Sequence, residues 1–383
     1  MPSDSKNKAP RKQSLTANLL LLLITFALLS LAAEGMVRAL YKDKMILFPM
    51  NQEPVQYGDY TIRQLIPNTT FWNTSMDGQW KYVINAQGFR EYENISYKKP
   101  PGQVRILSIG DSQTQGIEVR QEQTYSEVIE RYLNTQGDSS KSYQVINAGI
   151  SSFGTEEELV FLENEGIKYN PDVVILGFYA NDPSDSSASN LFKVENGALA
   201  VNSTYYVPGP SLAYKLNQFS VFRWLSENSY LYSFLTKNVS ALITQLRTGG
   251  NDSITPPTTS VAVGTNTPST PNLLERERLL IERMYKFCQN NGAKLIILDM
   301  PDIVSYELDQ EEHYSRDFQT SIPKPLRKTM MDHSDYFLNS ENVLAKYRGV
   351  AELHTPHGQR HLTEFGHLVY GMLTAEVIKS MVH

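Results

Sequence analysis

Apolar positions along this chain follow different rules in different places. From Gln13 to Ala33 no residue is charged, and Leu19–Leu23 is unbroken leucine. That run is long enough to cross a bilayer core as a helix. From Tyr57 to Gly102 the apolar runs are short: Tyr60-Thr-Ile-Arg63, then Trp80-Lys-Tyr-Val-Ile84, with turn signals at Pro67-Asn68 and Asp77-Gly78. This predicts a small β-rich extension behind a connector that begins at residue 35. From Gln103 onward, β-branched runs alternate with helical spacing. Strands are predicted at Val104–Ile109, Tyr143–Ile146, Asp172–Gly177 and Lys294–Leu298. Helices are predicted over Tyr125–Leu133 and over Glu156–Glu165, the latter closed by Gly166. A further helix has the face Leu280, Met284, Phe287, Cys288 and ends at Gly292; the last runs over Leu362–Val382 behind the N-cap Thr363. Strand–helix alternation of this kind argues for a parallel sheet covered by helices on both faces.

The rhythm breaks in places. Residues 183–248 are turn-rich and then aromatic-rich, an insertion that reads as lid-like helices over a substrate cleft or equally as ordinary helix packing. Residues 249–271 are Ser, Thr, Pro, Gly and Asn in the manner of a disordered linker. Residues 302–350 look polar and irregular. The organisation expected is therefore a basic head (1–12), a transmembrane signal anchor (13–34), the connector and extension (35–102), and an α/β domain (103–383) with the insertion 183–271.

Charge and cysteine narrow the picture. The net charge of the 383 residues is −6, which leaves no basic footprint for nucleic acid. Cys288 is the only cysteine and lies on an apolar helix face, so it reads as a buried thiol. Lys6, Lys8, Arg11 and Lys12 outweigh the mixed charges Glu34, Arg38, Lys42, Asp43 and Lys44 on the other side of the apolar run. The head is expected in the cytoplasm and the domain outside it, periplasmic or at the cell surface. Ser30-Leu31-Ala32 offers a small-residue cleavage site; an uncleaved anchor fits the length of the run better.

Three predicted strands end in small or polar groups: Gly110-Asp-Ser112, Asn147-Ala-Gly149 and Tyr179-Ala-Asn-Asp182. In a parallel sheet these ends share one edge, where such folds place their ligands. Gly110-Asp-Ser112 alone reads equally as a turn or as a nucleophile at Ser112. The N–H groups of Ser112 and Gly149, with the Asn181 amide, would supply donors to an oxyanion. A serine nucleophile needs a base. The segment His354–His367 holds four of the seven histidines, and His361 stands just before the last helix. A metal site at His354, His357 and His361 is disfavoured, because Pro356 and Gly358 break the helix that would align them. His367 reads as a packing or capping residue, Asn85–Arg90 as a supporting turn, and Asp332-His-Ser-Asp335 as a polar turn.

Taken in order, these blocks resemble those of the GDSL-type lipases and esterases, the SGNH hydrolase superfamily. Gly110-Asp-Ser-Gln-Thr114 is similar to the nucleophile block and Asn147-Ala-Gly149 to the glycine block. Tyr179-Ala-Asn-Asp182 is similar to the asparagine block, and His361-Leu-Thr-Glu-Phe-Gly-His367 to the histidine block. The resemblance implies a flavodoxin-like three-layer α/β/α fold, no metal or other cofactor, and hydrolysis of acyl esters through an acyl-serine. Residue by residue it implies nucleophile Ser112, oxyanion donors Ser112 N–H, Gly149 and Asn181, and base His361. The Gly-x-Ser-x-Gly elbow is absent, with Thr114 where its second glycine would stand, which argues against the α/β-hydrolases. One position departs from the resemblance. Gly358 stands where the family's aspartate precedes the histidine, and nothing acidic lies between Leu353 and Thr363. The expected substitutes are a backbone carbonyl in 357–359, leaving a Ser–His dyad, or Glu364. The reading is a membrane-anchored serine esterase acting on an acylated glycan or lipid, with short-chain or O-acetyl esters as the expected substrates. The alternatives are a glycan O-acyltransferase using the same site, and a non-catalytic glycan-binding or assembly protein.

Overall fold

The structure is a computed structural model, and it describes residues 15–42, 45, 47, 51–208, 215–216, 219–236, 271–308, 311–349, 351–356 and 361–382. The basic head, all of the expected linker except Pro271, and Gly358 with its 357–359 carbonyls lie outside the described residues.

In chain order the elements are α1 (Leu15–Tyr41), β1 (Gln52–Tyr57), β2 (Tyr60–Leu65), β3 (Thr70–Ser75), β4 (Gly78–Val83), β5 (Gln103–Gly110), α2 (Ser112–Gln115) and α3 (Tyr125–Gln136). Then come β6 (Ser142–Asn147), α4 (Thr155–Asn164), β7 (Val173–Phe178), α5 (Asp182–Ser189), β8 (Phe192–Glu195), β9 (Ala198–Val201) and α6 (Ser220–Asn228). The chain continues through α7 (Pro271–Asn290), β10 (Lys294–Asp299), β11 (Asp302–Leu308), β12 (Glu311–Gln319), α8 (Lys324–Asp332), β13 (Tyr336–Leu338), α9 (Ser340–Val343) and α10 (Glu364–Met381).

Five strands form one all-parallel sheet in the order β13-β10-β7-β5-β6. Counted along the chain within this sheet, that order is 2-1-3-4-5, the flavodoxin-like winding. Both faces are buried, and successive side chains divide between them. Leu107, Ile109, Val174, Leu176, Leu295 and Ile297 join the core that holds α4 and α7. Ile106, Val173, Ile175, Ile296 and Leu298 join the core that holds α3 and α10. The α/β/α layering expected from the sequence is therefore present. Cys288 is buried on α7, and burial pushes its thiol up to about 12.

Several readings need correction. Residues 302–350 are not irregular: they form the β11–β12 hairpin, α8, and the edge strand β13. Asp335, expected in a mere polar turn, sets the register of that edge strand. Its backbone N–H donates to the Leu295 carbonyl, and its carboxylate accepts from Leu295 N–H, both at 2.8 Å. Gly166 does not close α4: Glu165 is the cap, and Gly166 opens a short 3-10 turn ending at Tyr169. Pro271 is the first residue of α7 and not the last of a linker.

The β-rich extension consists of two hairpins, β1–β2 and β3–β4. Ile62, Leu65, Phe71, Tyr82 and Phe89 pack into the same core as Leu107 and Ile109 of the sheet. The anchor candidate α1 is a 27-residue helix with mean hydropathy 2.3 over its most apolar window, and none of its residues is buried. It is long and apolar enough to cross a membrane.

Candidate active site

The sheet order reverses between β5 and β7, and the crevice at such a switch point is where these folds bind ligands. Ser112 follows β5 and Asn181 follows β7, so both stand at that crevice. The turn after β5 is tight. Gly110 has φ +153°, and a Cβ there would lie 2.0 Å from Thr114 Oγ1; one at Gly177 on the neighbouring strand would lie 2.4 Å from the same oxygen. Both glycines make room for Thr114, whose hydroxyl also receives the Tyr125 OH at 2.9 Å. Asp111 caps α2 by accepting from Gln113 N–H at 2.8 Å.

Each buried side chain after Ser112 fastens a different part of the site. Gln113 Oε1 accepts from Leu362 N–H at 3.1 Å, tying the histidine segment to α2. Gln115 Oε1 accepts from Ser151 N–H at 2.7 Å, tying down the loop after β6. A Cβ on Gly149 would meet Gln115 N at 2.2 Å and Thr114 C at 2.6 Å, so only glycine lets that loop lie against α2.

His361 is held from both sides. Its carbonyl accepts from Thr355 N–H at 2.9 Å, and its neighbour Leu362 bridges to His354. The ring is buried, with Nε2 2.9 Å from Ser112 Oγ. On the opposite side, Nδ1 faces Glu118 Oε2 at 3.6 Å. Glu118 is buried too. Burial by itself would raise its carboxyl; hydrogen bonding and charge from His361, with the Ser75 and Thr355 hydroxyls, outweigh this and hold it at about 2.

Glu118 was not foreseen, and the loop that carries it is elaborately supported. Its backbone has φ +64°, a left-handed conformation that costs a non-glycine residue about 1–3 kcal/mol and that surrounding structure must enforce. Tyr82 OH accepts from Glu118 N–H at 3.1 Å, and Thr355 Oγ1 donates to Oε2 at 2.7 Å. Arg90 lies 3.9 Å from the centre of the Tyr82 ring and donates to the carbonyls of Gln115, Gly116 and Val119. The extension thus supplies Ser75, Tyr82 and Arg90 to the loop that aims Glu118.

Glu364 faces away from the histidine: it pairs with Arg120 at 2.6 Å, and so does not orient His361. His354 Nε2 lies 3.0 Å from the Pro301 carbonyl, which separates it from His361 in role. His357 lies outside the described residues, and among the described residues no cluster fit to hold a metal is found. His367 Nδ1 accepts from Tyr125 N–H at 3.0 Å, at the start of α3, and burial pushes its imidazole down to about 3. Gly149 N–H donates to Asn147 Oδ1 at 3.1 Å. Asn181 Nδ2 donates to Asp185 at 2.7 Å, and the same side chain hydrogen-bonds Asp111, beside the nucleophile candidate.

Beneath this edge lies a layer of buried carboxyls. Asp111, Glu158 and Asp182 are raised, first by desolvation; for Glu158 and Asp182 the next largest cause is mutual repulsion within the group. Burial raises Glu277 and Glu157 to about 7, against opposing hydrogen bonds to Glu277 and the Arg63 charge beside Glu157. The unfolded chain releases such protons near 4.5 for glutamate, so between there and about 7 the folded state holds more protons. Stability contributed by these groups is full below that window and is lost as pH rises through it. The lowered imidazole of His367 acts in the opposite direction below its usual 6.5, but the raised carboxyls outnumber it. Thermal melts are therefore expected to give a lower Tm at about pH 8 than at about pH 5. An unchanged or higher Tm at the alkaline end would contradict the assignment.

No protein-family model matches the chain, and no curated protein matches it. Among solved structures the chain is similar to a two-domain esterase active on acetylated mannans (TM-score 0.37, 11% identity, 73% of this chain and 50% of that one). It is also similar to the lipase/acylhydrolase from Enterococcus faecalis (0.36, 17%, 73% and 96%) and to an acetyl xylan esterase (0.36, 15%, 73% and 100%). Independently of these likenesses, the strand order 2-1-3-4-5 of this chain's own sheet gives the flavodoxin-like α/β/α fold that the sequence resemblance implies.

Proposed function

We propose that this chain is a membrane-anchored serine esterase, with α1 as anchor, the basic head in the cytoplasm and the catalytic domain outside it. The observation that carries the reading is the line Ser112 Oγ, His361, Glu118, with Nε2 2.9 Å from the hydroxyl and Nδ1 3.6 Å from the carboxylate. His361 takes the Ser112 proton as Oγ attacks the ester carbonyl carbon. The carbonyl π electrons move to oxygen, and the tetrahedral intermediate collapses as the C–O bond to the alcohol breaks. His361 returns the proton to the departing alcohol, leaving an acyl-serine. Water then attacks the acyl carbon with the same proton relay and releases the acid.

Glu118 keeps the second imidazole proton on Nδ1 and balances the imidazolium that forms, the service expected of a triad carboxylate. Ser112 N–H belongs to the first turn of α2, whose N–H groups have no partner within the helix. With Gly149 N–H and the Asn181 amide it would receive the oxyanion. The latter two exchange the Asn147 and Asp111 or Asp185 oxygens for the stronger developing charge. A tether and an outward-facing domain put acylated glycans and lipids at the cell surface within reach, so short-chain and O-acetyl esters are the proposed substrates. A non-catalytic chain is disfavoured, because Glu118 faces His361 where Gly358 offers no carboxylate. The test is hydrolysis of nitrophenyl acetate by the full chain in detergent; absence of turnover above a Ser112→Ala control would overturn the reading.

A further inference from the structure

A bilayer core takes about 20 helical residues, which from Leu15 carries α1 to Glu34. That residue is tied to the domain. The Glu34 carboxylate accepts from Ser229 Oγ at 2.8 Å, Tyr230 N–H at 3.1 Å and Leu231 N–H at 2.9 Å, capping the helical residues 230–236. One turn on, Arg38 donates to the Asn228 carbonyl at 3.0 Å and lies 4.7 Å from the centre of the Tyr230 ring. Tyr41 packs on Phe234 with ring centres 5.2 Å apart. The corner between α6 and residues 230–236 is therefore fixed at the level where α1 leaves the hydrocarbon.

The two helices that meet at that corner carry exposed apolar side chains along their length. Phe219, Val221, Trp224 and Leu235 are 61%, 56%, 60% and 50% exposed. Val221 and Trp224, three residues apart, share one edge of α6, while Ser226 turns inward. Trp72 adds a further half-exposed ring from β3, and the Trp72 backbone N–H donates to Glu227 of α6 at 3.4 Å. Single exposed apolar side chains are ordinary, but several of them on helices tied to the end of a span suit the interfacial layer, where tryptophan partitions.

We propose that the Val221–Trp224 edge of α6 seats in the interfacial layer of the same bilayer that α1 crosses, as a second attachment that fixes how the domain stands on the membrane. The proposal rests on α1 being a membrane span, and goes beyond it in making a helix of the insertion 183–271 part of the membrane-bound surface.

The experiment reconstitutes the full chain in phosphatidylcholine vesicles with or without acyl-chain-brominated lipid, which quenches tryptophan at the interface. The chain has Trp72, Trp80 and Trp224, so wild type is compared with Trp224→Phe, a change that keeps an aromatic at an exposed position. The expected result is quenching by bromolipid that Trp224→Phe abolishes or halves, in protein that stays with the vesicles through an alkaline carbonate wash. Retention in the wash with quenching unaltered by Trp224→Phe would overturn the proposal and leave the anchor standing. Trp224 shielded from both bromolipid and aqueous iodide would mean cover by protein, such as a second copy, and would also overturn it. Release by carbonate would overturn the anchor and the proposal together.

Discussion

Replacing Ser112 with alanine is expected to lower nitrophenyl ester turnover by about 10⁴- to 10⁶-fold, the loss seen when a triad nucleophile is removed. The substitution takes away one oxygen at a half-exposed position in the first turn of α2. Asp111 keeps its bond to Gln113 N–H, and Gln113 keeps Leu362, so the turn and the histidine segment stay in place. The fold should therefore be unaffected, and the melting curve should overlay that of the wild type. Residual turnover within tenfold of wild type, from protein free of contaminating esterase, would show that another group attacks the ester.

Glu118→Gln is expected to reduce kcat by about 10²- to 10⁴-fold with a much smaller change in KM, because the carboxylate acts through His361 and not on the substrate. A glutamine amide keeps the shape but offers the imidazole no negative charge, and can donate to Nδ1 and favour the wrong tautomer. His361 and the Ser75 and Thr355 hydroxyls hold the Glu118 carboxyl at about 2, so loss of activity on mild acidification is expected from a different group. A purely structural role for Glu118 would instead appear as a lowered Tm with kcat of the surviving folded protein unchanged. Measuring both on the same preparation separates the two.

Much of this was legible in the sequence, for identifiable reasons. The strands β5, β7 and β10 are buried on both faces and so are written as largely apolar runs, and the edge strand β6 buries Tyr143, Val145 and Ile146, which also fixes where their carboxyl ends fall. Ser112, Gly149, Asn181 and His361 could be singled out because three follow such strand ends and one precedes a capped helix. The edge strand β13 was missed because it is three residues long and its first residue is exposed. Its position is set by Asp335, whose pairing with Leu295 is a long-range event that local pattern does not encode.

Glu118 was missed for a related reason. The residues near His361 in sequence offer only Glu364 as an acid, whereas Glu118 comes from the loop after Ser112. The available signal was a charged residue set between Ile117 and Val119, both fully buried, just past the left-handed Gly116. A glutamate in such surroundings has to be paired. The role of the extension was equally hidden: Arg90 read as support, but nothing local says that it holds three carbonyls of the Glu118 loop.

The most direct test of the Ser112–His361–Glu118 assignment is covalent labelling of the full chain with a fluorophosphonate, mapped by peptide mass spectrometry. The expected result is one phosphonylated residue, Ser112, with labelling slowed in Glu118→Gln and absent in Ser112→Ala. Labelling at a different residue, or none at Ser112 in a preparation that hydrolyses esters, would contradict it.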